Sequence, residues 1–167
     1  MVHNMLSRTW GIFDEMGMFV SICRHGFILI VADMVRSGEL AKYPLAVVEY
    51  LLDHLPPCIG GGYDCGCKFG TTLDRSPLGA LAREKGFRSL VGLFHGHAHN
   101  QLCQIQNLGT YVEGQGLEDL EGCERLFAKT NELAGTFRYG SSFHRRQVLQ
   151  LYFEHLDSVD TQEALSE

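Results

Sequence analysis

The order of short apolar segments along this chain limits its fold more than any other feature of the sequence. Three strand-length apolar segments, at residues 10–13, 19–23 and 27–32, come before any segment with helical spacing. The intervals between them, residues 15–18 and 24–26, each contain a glycine and suit tight turns. The chain is therefore predicted to begin with three short antiparallel strands.

Helical spacing first appears at residues 43–55, where leucine and valine recur along one face. Pro44 suits the first turn of a helix, and Pro56 with Pro57 would end it. Strand-length and helical segments then alternate, with strands predicted at residues 59–67 and 90–94 and helices at residues 77–85, from Leu117 onward and at residues 143–156. The predicted order of elements is βββ-α-β-α-β-α-α.

This order predicts an α/β protein. An antiparallel three-stranded meander followed by βα units makes a mixed sheet with helices on both faces. The ribonuclease H-like fold has this succession, and in that fold acidic residues from the first strand, the fourth strand and a late helix meet at one sheet edge. Because no linker or repeat is visible, we expect one domain over residues 1–153 and an acidic tail over residues 154–167.

Net charge bears on the partners of this chain. Its 167 residues carry 14 Lys and Arg against 20 Asp and Glu, for a formal charge of −6. Nucleic-acid binding depends on surplus Lys and Arg, so this balance predicts weak DNA binding by the chain alone. The segment from Arg125 to Arg146 is the exception, because its basic residues are opposed by Glu132 alone. It forms a basic strip next to an acidic stretch.

Carboxylates occur where the predicted fold would bring them together. Asp14 ends the first predicted strand, Asp64 ends the fourth, and the late helix opens with Glu118, Asp119, Glu121 and Glu124. The spacing of Glu118, Glu121 and Glu124 would put them on one helix face. Mg²⁺ and Mn²⁺ prefer oxygen ligands, and two such ions about 4 Å apart can promote phosphodiester cleavage. The alternative is structural, because acids are ordinary at helix starts and strand ends.

Histidine and cysteine form a second set of candidate residues. His95, His97 and His99 alternate directly after a predicted strand and would share one face of an extended segment. A zinc site is one interpretation, with candidate ligands Cys23, His25, Cys65, Cys67, His95, His99 and Cys103. The alternative is that the cysteines are small buried residues and the histidines bind backbone groups.

Two sequence patterns bear on the cellular location of the chain and on membrane association. The first nine residues are polar and do not resemble a secretory signal, and no apolar run reaches the roughly 18–20 residues that span a bilayer. We therefore expect an intracellular chain with no membrane partner, whose cysteines are free or bound to metal.

Six motifs occur in order along the chain: FDEMG at residues 13–17, CRHGF at 23–27, VRSGELAKYPLA at 35–46, GYDCGC at 62–67, FHGHAHNQLCQ at 94–104 and GLEDLEGCER at 116–125. In sequence and spacing these motifs closely resemble the core of the KDZ (Kyakuja–Dileera–Zisupton) transposases, a family abundant in mushroom-forming fungi. The resemblance covers about residues 10–152, which is nearly the whole chain.

This resemblance implies a ribonuclease H-like DDE transposase core that cleaves and transfers transposon DNA with two Mg²⁺ or Mn²⁺ ions. By motif position, Asp14 and Asp64 correspond to the first two acids. Glu121 matches an Asp-x-Glu-Gly element and is ranked first for the third acid, with Glu124 of the Glu-Arg pair as the other candidate. The motifs also include Cys23, His25, Cys67, His95, His99 and Cys103, which implies a shared structural role or a role in binding Zn²⁺.

The resemblance also suggests partners and an alternative. Family members are large proteins with further regions on both sides, so binding of transposon ends and target DNA is expected to need regions absent from this chain. A nuclear location and a homo-oligomer would fit this activity. The alternative is an inactive transposon remnant, or a co-opted nucleic-acid- or protein-binding module that keeps the fold. A structural zinc site is compatible with that alternative.

Overall fold

A computed structural model describes residues 15–137 and 140–161 of the chain. The described residues divide into two compact units. The terminal unit comprises residues 15–43 and the described residues from Gly122 onward, and the middle unit is Pro44–Glu121. The elements in chain order are β1 (Glu15–Ile22), β2 (Ile28–Val35), α1 (Lys42–His54), β3 (Gly60–Gly62), α2 (Gly66–Arg75), α3 (Gly79–Glu84), β4 (Arg88–Leu90), α4 (Leu93–Gly96), α5 (Gln101–Asn107), α6 (Gly122–Thr130), α7 (Ala134–Phe137) and α8 (Ser142–His155).

The terminal unit contains an antiparallel hairpin of β1 and β2, in which Val20 pairs with Val31. Its turn includes Gly26, whose φ of 95° favours glycine. The turn predicted at residues 15–18 is wrong, because β1 already begins at Glu15 and continues through Gly17. The pairing register shifts between these two residues, so the glycine accommodates an irregularity within a strand. The strand predicted at residues 10–13 lies outside the described residues.

Helix α8 confirms the helix predicted at residues 143–156 to within one residue at each end. The Ser141 hydroxyl accepts a hydrogen bond from the His144 N–H and caps its first turn. Its apolar face packs in a core whose buried members are Val20, Leu126, Leu149, Phe153 and Leu156. The hairpin and helices α6 and α8 therefore share one hydrophobic core within the terminal unit.

The middle unit is built around α1, which confirms the helix predicted at residues 43–55. Leu52 is completely buried in the core of this unit. That core joins residues of α1, α2 and α3, namely Val48, Leu52, Phe69, Leu73 and Ala82. Helix α3 confirms the helix predicted at residues 77–85, although it is shorter.

The strand predicted at residues 59–67 is only partly correct. β3 covers Gly60–Gly62 and pairs in parallel with β4, and α2 begins at Gly66. A Cβ atom at Gly66 would overlap the carbonyl oxygen of Leu90, so glycine lets the start of α2 approach β4 closely. The strand predicted at residues 90–94 is shifted toward the N-terminus, because the chain enters α4 at Leu93.

The late helix begins five residues after its predicted start at Leu117. Helix α6 starts at Gly122, and Leu120 has a positive φ of 62°, which is incompatible with a right-handed helix. Glu118, Asp119 and Glu121 consequently precede the helix, and Glu124 lies in its first turn. The prediction that Glu118, Glu121 and Glu124 share a helix face is therefore wrong.

The predicted α/β class is confirmed. The described strands form one two-stranded antiparallel sheet and one two-stranded parallel sheet, with a parallel bridge between Val91 and Leu108. A mixed ribonuclease H-like sheet with helices on both faces stays a prediction, as does a single domain over residues 1–153. Within the described ranges, no helix has the length and apolar character needed to cross a bilayer.

Candidate functional site

Asp64 lies in the short segment of the middle unit that connects β3 to α2. It occupies the turn that leads from β3 into α2, after Tyr63, whose N–H donates to the Leu90 carbonyl at 3.0 Å. The pairing of β3 with β4 therefore fixes the start of this turn. The Asp64 side chain is 61% exposed. A carboxylate in this position is accessible to solvent and to a large substrate.

Glu121 is held more tightly, and its side chain is only 12% exposed. Its Oε1 accepts a hydrogen bond of 2.8 Å from the backbone N–H of Phe94 in α4. Its own N–H donates to Asp119 Oδ1 at 3.0 Å, and the Asp119 carbonyl accepts from the Leu93 N–H at 2.9 Å. The segment before α6 is thereby fastened to the start of α4, with the Glu121 carboxylate in a defined position.

His95 brings these two acids together. Its Nδ1 lies 3.4 Å from Asp64 Oδ1 and 3.4 Å from Glu121 Oε2. The imidazole belongs to α4 and is 27% exposed. Two carboxylates that are far apart in the sequence thus converge on one nitrogen atom, and all three groups belong to the middle unit. The arrangement offers hard oxygen donors together with a group that can carry a proton.

The other two predicted acids are not among the described residues of the middle unit. Asp14 lies outside the described residues. Glu124 is exposed in the first turn of α6, in the terminal unit. Of the four acids proposed from the sequence, the middle unit therefore brings together Asp64 and Glu121.

The three alternating histidines do not share a face as predicted. Residues 93–96 form α4 and residues 97–99 form a turn, so the extended backbone on which that prediction depended is absent there. His95 faces the two carboxylates, whereas His99 contacts two thiols. His97 is exposed. A short helix therefore separates imidazoles that the sequence pattern had grouped.

A thiol cluster formed by Cys67, His99 and Cys103 lies in the middle unit. His99 Nδ1 is 3.4 Å from Cys67 Sγ and 3.3 Å from Cys103 Sγ. His99 Nε2 is 3.2 Å from the backbone carbonyl oxygen of Asp64. Burial raises the pKa of the Cys103 thiol, and the hydrogen bond and charge of Cys67 raise it further, while Asn107 opposes this. The cluster adjoins the turn that carries the exposed candidate acid.

The predicted zinc-ligand set is thus divided into separate groups. Cys67, His99 and Cys103 form the thiol cluster, and His95 lies with the acids. In the terminal unit, Cys23 Sγ is 4.0 Å from His25 Nδ1, in the turn of the hairpin. Cys65 is partly buried and is not in a disulfide bond.

Part of the predicted basic strip is paired within the terminal unit. Asp33 Oδ1 accepts a hydrogen bond from Arg145 Nη2 at 2.6 Å, and Asp33 Oδ2 lies 2.9 Å from Arg146 Nε. The Arg145 side chain is largely buried. These two guanidinium groups consequently contribute to the packing of α8 against β2.

Residues that support the site were not identified from the sequence. Gly92 allows the Glu121 carboxylate to approach, since a Cβ atom at this position would overlap Glu121 Oε1. The sequence singled out Asp119 only as one of the acidic residues at the start of the late helix. In the structure, its side chain and its carbonyl anchor the segment before α6. Gly92 could have been identified from its position between a predicted strand and a histidine-rich segment, because a glycine at such a position often marks close backbone approach.

The chain was compared with models of known protein families. The family model of the Kyakuja–Dileera–Zisupton (KDZ) transposases matches residues 1–157. No curated protein and no solved structure matches the chain.

Proposed function

Because this chain belongs to the KDZ transposase family, we propose that it is the catalytic core of a DDE-type DNA transposase. In this proposal it cleaves phosphodiester bonds at transposon ends and transfers the resulting strands to target DNA. Membership of a transposase family indicates DNA as the partner, and a nuclear location follows from that role. The chemistry is assigned to carboxylates that hold Mg²⁺ or Mn²⁺.

One observation carries this proposal. Asp64 Oδ1 and Glu121 Oε2 are each 3.4 Å from the same nitrogen of His95. A structural role at a helix start or a strand end would not require acids from two distant segments to meet. Uncompensated carboxylates repel each other unless a proton or a cation lies between them. Their convergence therefore supports a cation site.

The donor set fits a hard divalent cation. Carboxylate oxygens are the preferred ligands of Mg²⁺ and Mn²⁺, and Asp64 and Glu121 supply them. Asp14 is proposed as a further ligand from its motif position, and Glu124 is the other sequence candidate for the third acid. When bound, the ions would lower the pKa of a water or a 3′-hydroxyl and stabilise charge on the scissile phosphate.

The protein groups have separate tasks in this proposal. The Phe94 N–H and the Gly92 backbone keep the Glu121 carboxylate in one orientation, which removes the entropic cost of ordering it. Asp64 is the exposed member and would be the acid nearer to the DNA. His95 Nδ1 lies 3.4 Å from an oxygen of each carboxylate and would be a nitrogen donor beside them.

The experiment is a cleavage and strand-transfer assay on DNA that carries transposon ends, with Mg²⁺ or Mn²⁺. Asp64→Asn and Glu121→Gln should each lower the rate by more than about a hundredfold, since loss of an outer-shell partner alone costs 10–100-fold. Asp53→Asn and Glu84→Gln are matched controls, because both acids are exposed in the middle unit. These controls should keep the parent rate.

Two results would decide against the proposal. Equal cleavage by the parent, Asp64→Asn and Glu121→Gln would remove these acids from the chemistry. A parent protein that binds DNA but never cleaves it with either ion would favour the alternative, an inactive remnant or a co-opted binding module. Glu124→Gln, tested beside Glu121→Gln, determines which glutamate acts as the third acid.

A further inference from the structure

Two thiols and one imidazole nitrogen meet at the thiol cluster of the middle unit. Cys67 Sγ and Cys103 Sγ lie 3.4 and 3.3 Å from His99 Nδ1, and the three atoms are all within 4.8 Å of one another. We propose that the thiol cluster is a zinc site in which Cys67, His99 and Cys103 bind the ion and a water molecule takes the fourth position. This inference does not depend on the proposed function.

The spacing of the three donor atoms matches tetrahedral zinc. With Zn–S and Zn–N bonds of about 2.3 and 2.0 Å, a sulfur and a nitrogen bound to one ion lie about 3.6 Å apart. Both observed sulfur–nitrogen distances are within a few tenths of an ångström of that value. An ion could therefore bind with small side-chain movements and no rearrangement of the backbone.

The orientation of His99 is the second argument. Its Nε2 lies 3.2 Å from the carbonyl oxygen of Asp64, and a carbonyl can only accept. Nε2 must therefore carry the hydrogen, which leaves Nδ1 as the lone pair in the neutral ring. That lone pair faces the two thiols. Histidine ligands of zinc commonly donate their other ring N–H to a backbone carbonyl in this way.

The backbone around the ligands is also well defined. Cys67 is in the first turn of α2 and Cys103 is in the first turn of α5. The Asn100 side chain caps α5 by accepting a hydrogen bond from the Cys103 N–H at 2.9 Å. The ion would join two helices from separate parts of the chain.

A zinc ion at this position would also affect the candidate active site. Because it fixes His99 with its Nε2–H toward the Asp64 carbonyl, it would hold the turn between β3 and α2. His99 is then a positioning residue for Asp64, and it does not touch the reacting atoms. This consequence alone depends on the proposed function.

The first test measures metal content and ligand type in the full chain. Protein purified without chelator should contain about one zinc per chain. Replacement of zinc by Co²⁺ should give thiolate-to-metal charge-transfer bands and the d–d spectrum of a tetrahedral ion. Parent protein without zinc, and without thiolate bands when Co²⁺ is added, would overturn the inference.

Variants assign the ligands. Cys67→Ser and Cys103→Ser should each lower zinc affinity by more than about a hundredfold, which exceeds the effect of losing an outer-shell partner. Cys58→Ser and Cys123→Ser are matched controls outside the cluster and should keep full zinc content. Unchanged affinity in both cluster variants would refute the assignment. If a variant fails to fold, removal and return of zinc in the parent supplies the same comparison.

Hydrogen–deuterium exchange separates the zinc site from the proposed function. Return of zinc to chelator-treated parent should slow exchange in residues 63–69 and 99–104, while residues 45–53 of α1 should be unaffected. Equal exchange with and without zinc in all three segments would contradict a role in holding the turn. Neither the zinc content nor the exchange depends on DNA cleavage, so the two proposals can fail separately.

Discussion

Gly92 lies directly against the carboxylate of Glu121, and a Cβ atom at position 92 would overlap Glu121 Oε1. The same oxygen accepts the Phe94 N–H. The backbone at Gly92 has φ −65° and ψ 154°, which any residue adopts. The glycine is therefore needed for the space that it leaves, since its conformation is ordinary.

Gly92→Ala tests this relationship without introducing backbone strain. The added methyl group should displace the Glu121 carboxylate and break its hydrogen bond to Phe94. The free energy of unfolding should fall by about 1.5–3 kcal/mol, the usual contribution of a hydrogen bond to a charged group. Urea unfolding followed by circular dichroism measures it.

Gly135→Ala is the control for this substitution. Apart from its chain neighbours and the backbone of its own helix, no described atom lies within 4 Å of a Cβ atom at Gly135, which belongs to helix α7. Its stability should stay unchanged or rise by up to about 1 kcal/mol, because alanine loses less backbone entropy in a helix. Equal stability of Gly92→Ala and the parent would show that the Glu121 carboxylate is not confined as described.

A pair of glycines in α2 gives a second prediction. Gly66→Ala would force a methyl group into the carbonyl of Leu90 in β4 and should destabilise the protein by about 2–3 kcal/mol. At Gly70, by contrast, the nearest atom to a Cβ would be Ser89 Cβ at 3.6 Å, an ordinary contact. Gly70→Ala should therefore be neutral or stabilising by about 0.5–1 kcal/mol. Thermal unfolding of both variants checks the difference.

The core of the middle unit gives a third prediction. Leu52→Ala removes a completely buried side chain and should lower the free energy of unfolding by about 2–5 kcal/mol. Leu117→Ala is the matched control, because Leu117 is 95% exposed in the same unit. Denaturant unfolding should leave the control within about 0.5 kcal/mol of the parent. A small loss for Leu52→Ala would mean that this core is loosely packed.

Sequence patterns predicted α1 and α8 closely because each helix combines an apolar stripe with end signals. Pro44 stands near the start of α1, and Ser141 caps α8. Helix α2 was missed because Gly66 and Gly70 lower its intrinsic helix propensity. Its formation depends on Phe69 and Leu73, which pack in the core of the middle unit. Tertiary packing of this kind is not visible in a local pattern.

The candidate site was predicted in part. Asp64 and Glu121 were selected together, and the structure brings both to His95. The sequence predicted that Glu121 would approach Asp64 from a helix face. This prediction was wrong, because Leu120 adopts a positive φ and the helix begins after Glu121. The thiol cluster was contained in a larger pool of cysteines and histidines. Cys67, His99 and Cys103 come together only when the middle unit folds, because contacts between segments that are far apart in the sequence position them.

Mn²⁺ binding to the zinc-loaded chain, measured by electron paramagnetic resonance, tests whether Asp64 and Glu121 form a cation site. Zinc loading occupies the thiol cluster, so that Mn²⁺ reports on the carboxylates. We expect the parent and Asp53→Asn to bind Mn²⁺ equally, and Asp64→Asn and Glu121→Gln each to bind at least about tenfold more weakly. Equal Mn²⁺ affinity in all four proteins, or no binding by the parent, would contradict a cation site formed by Asp64 and Glu121.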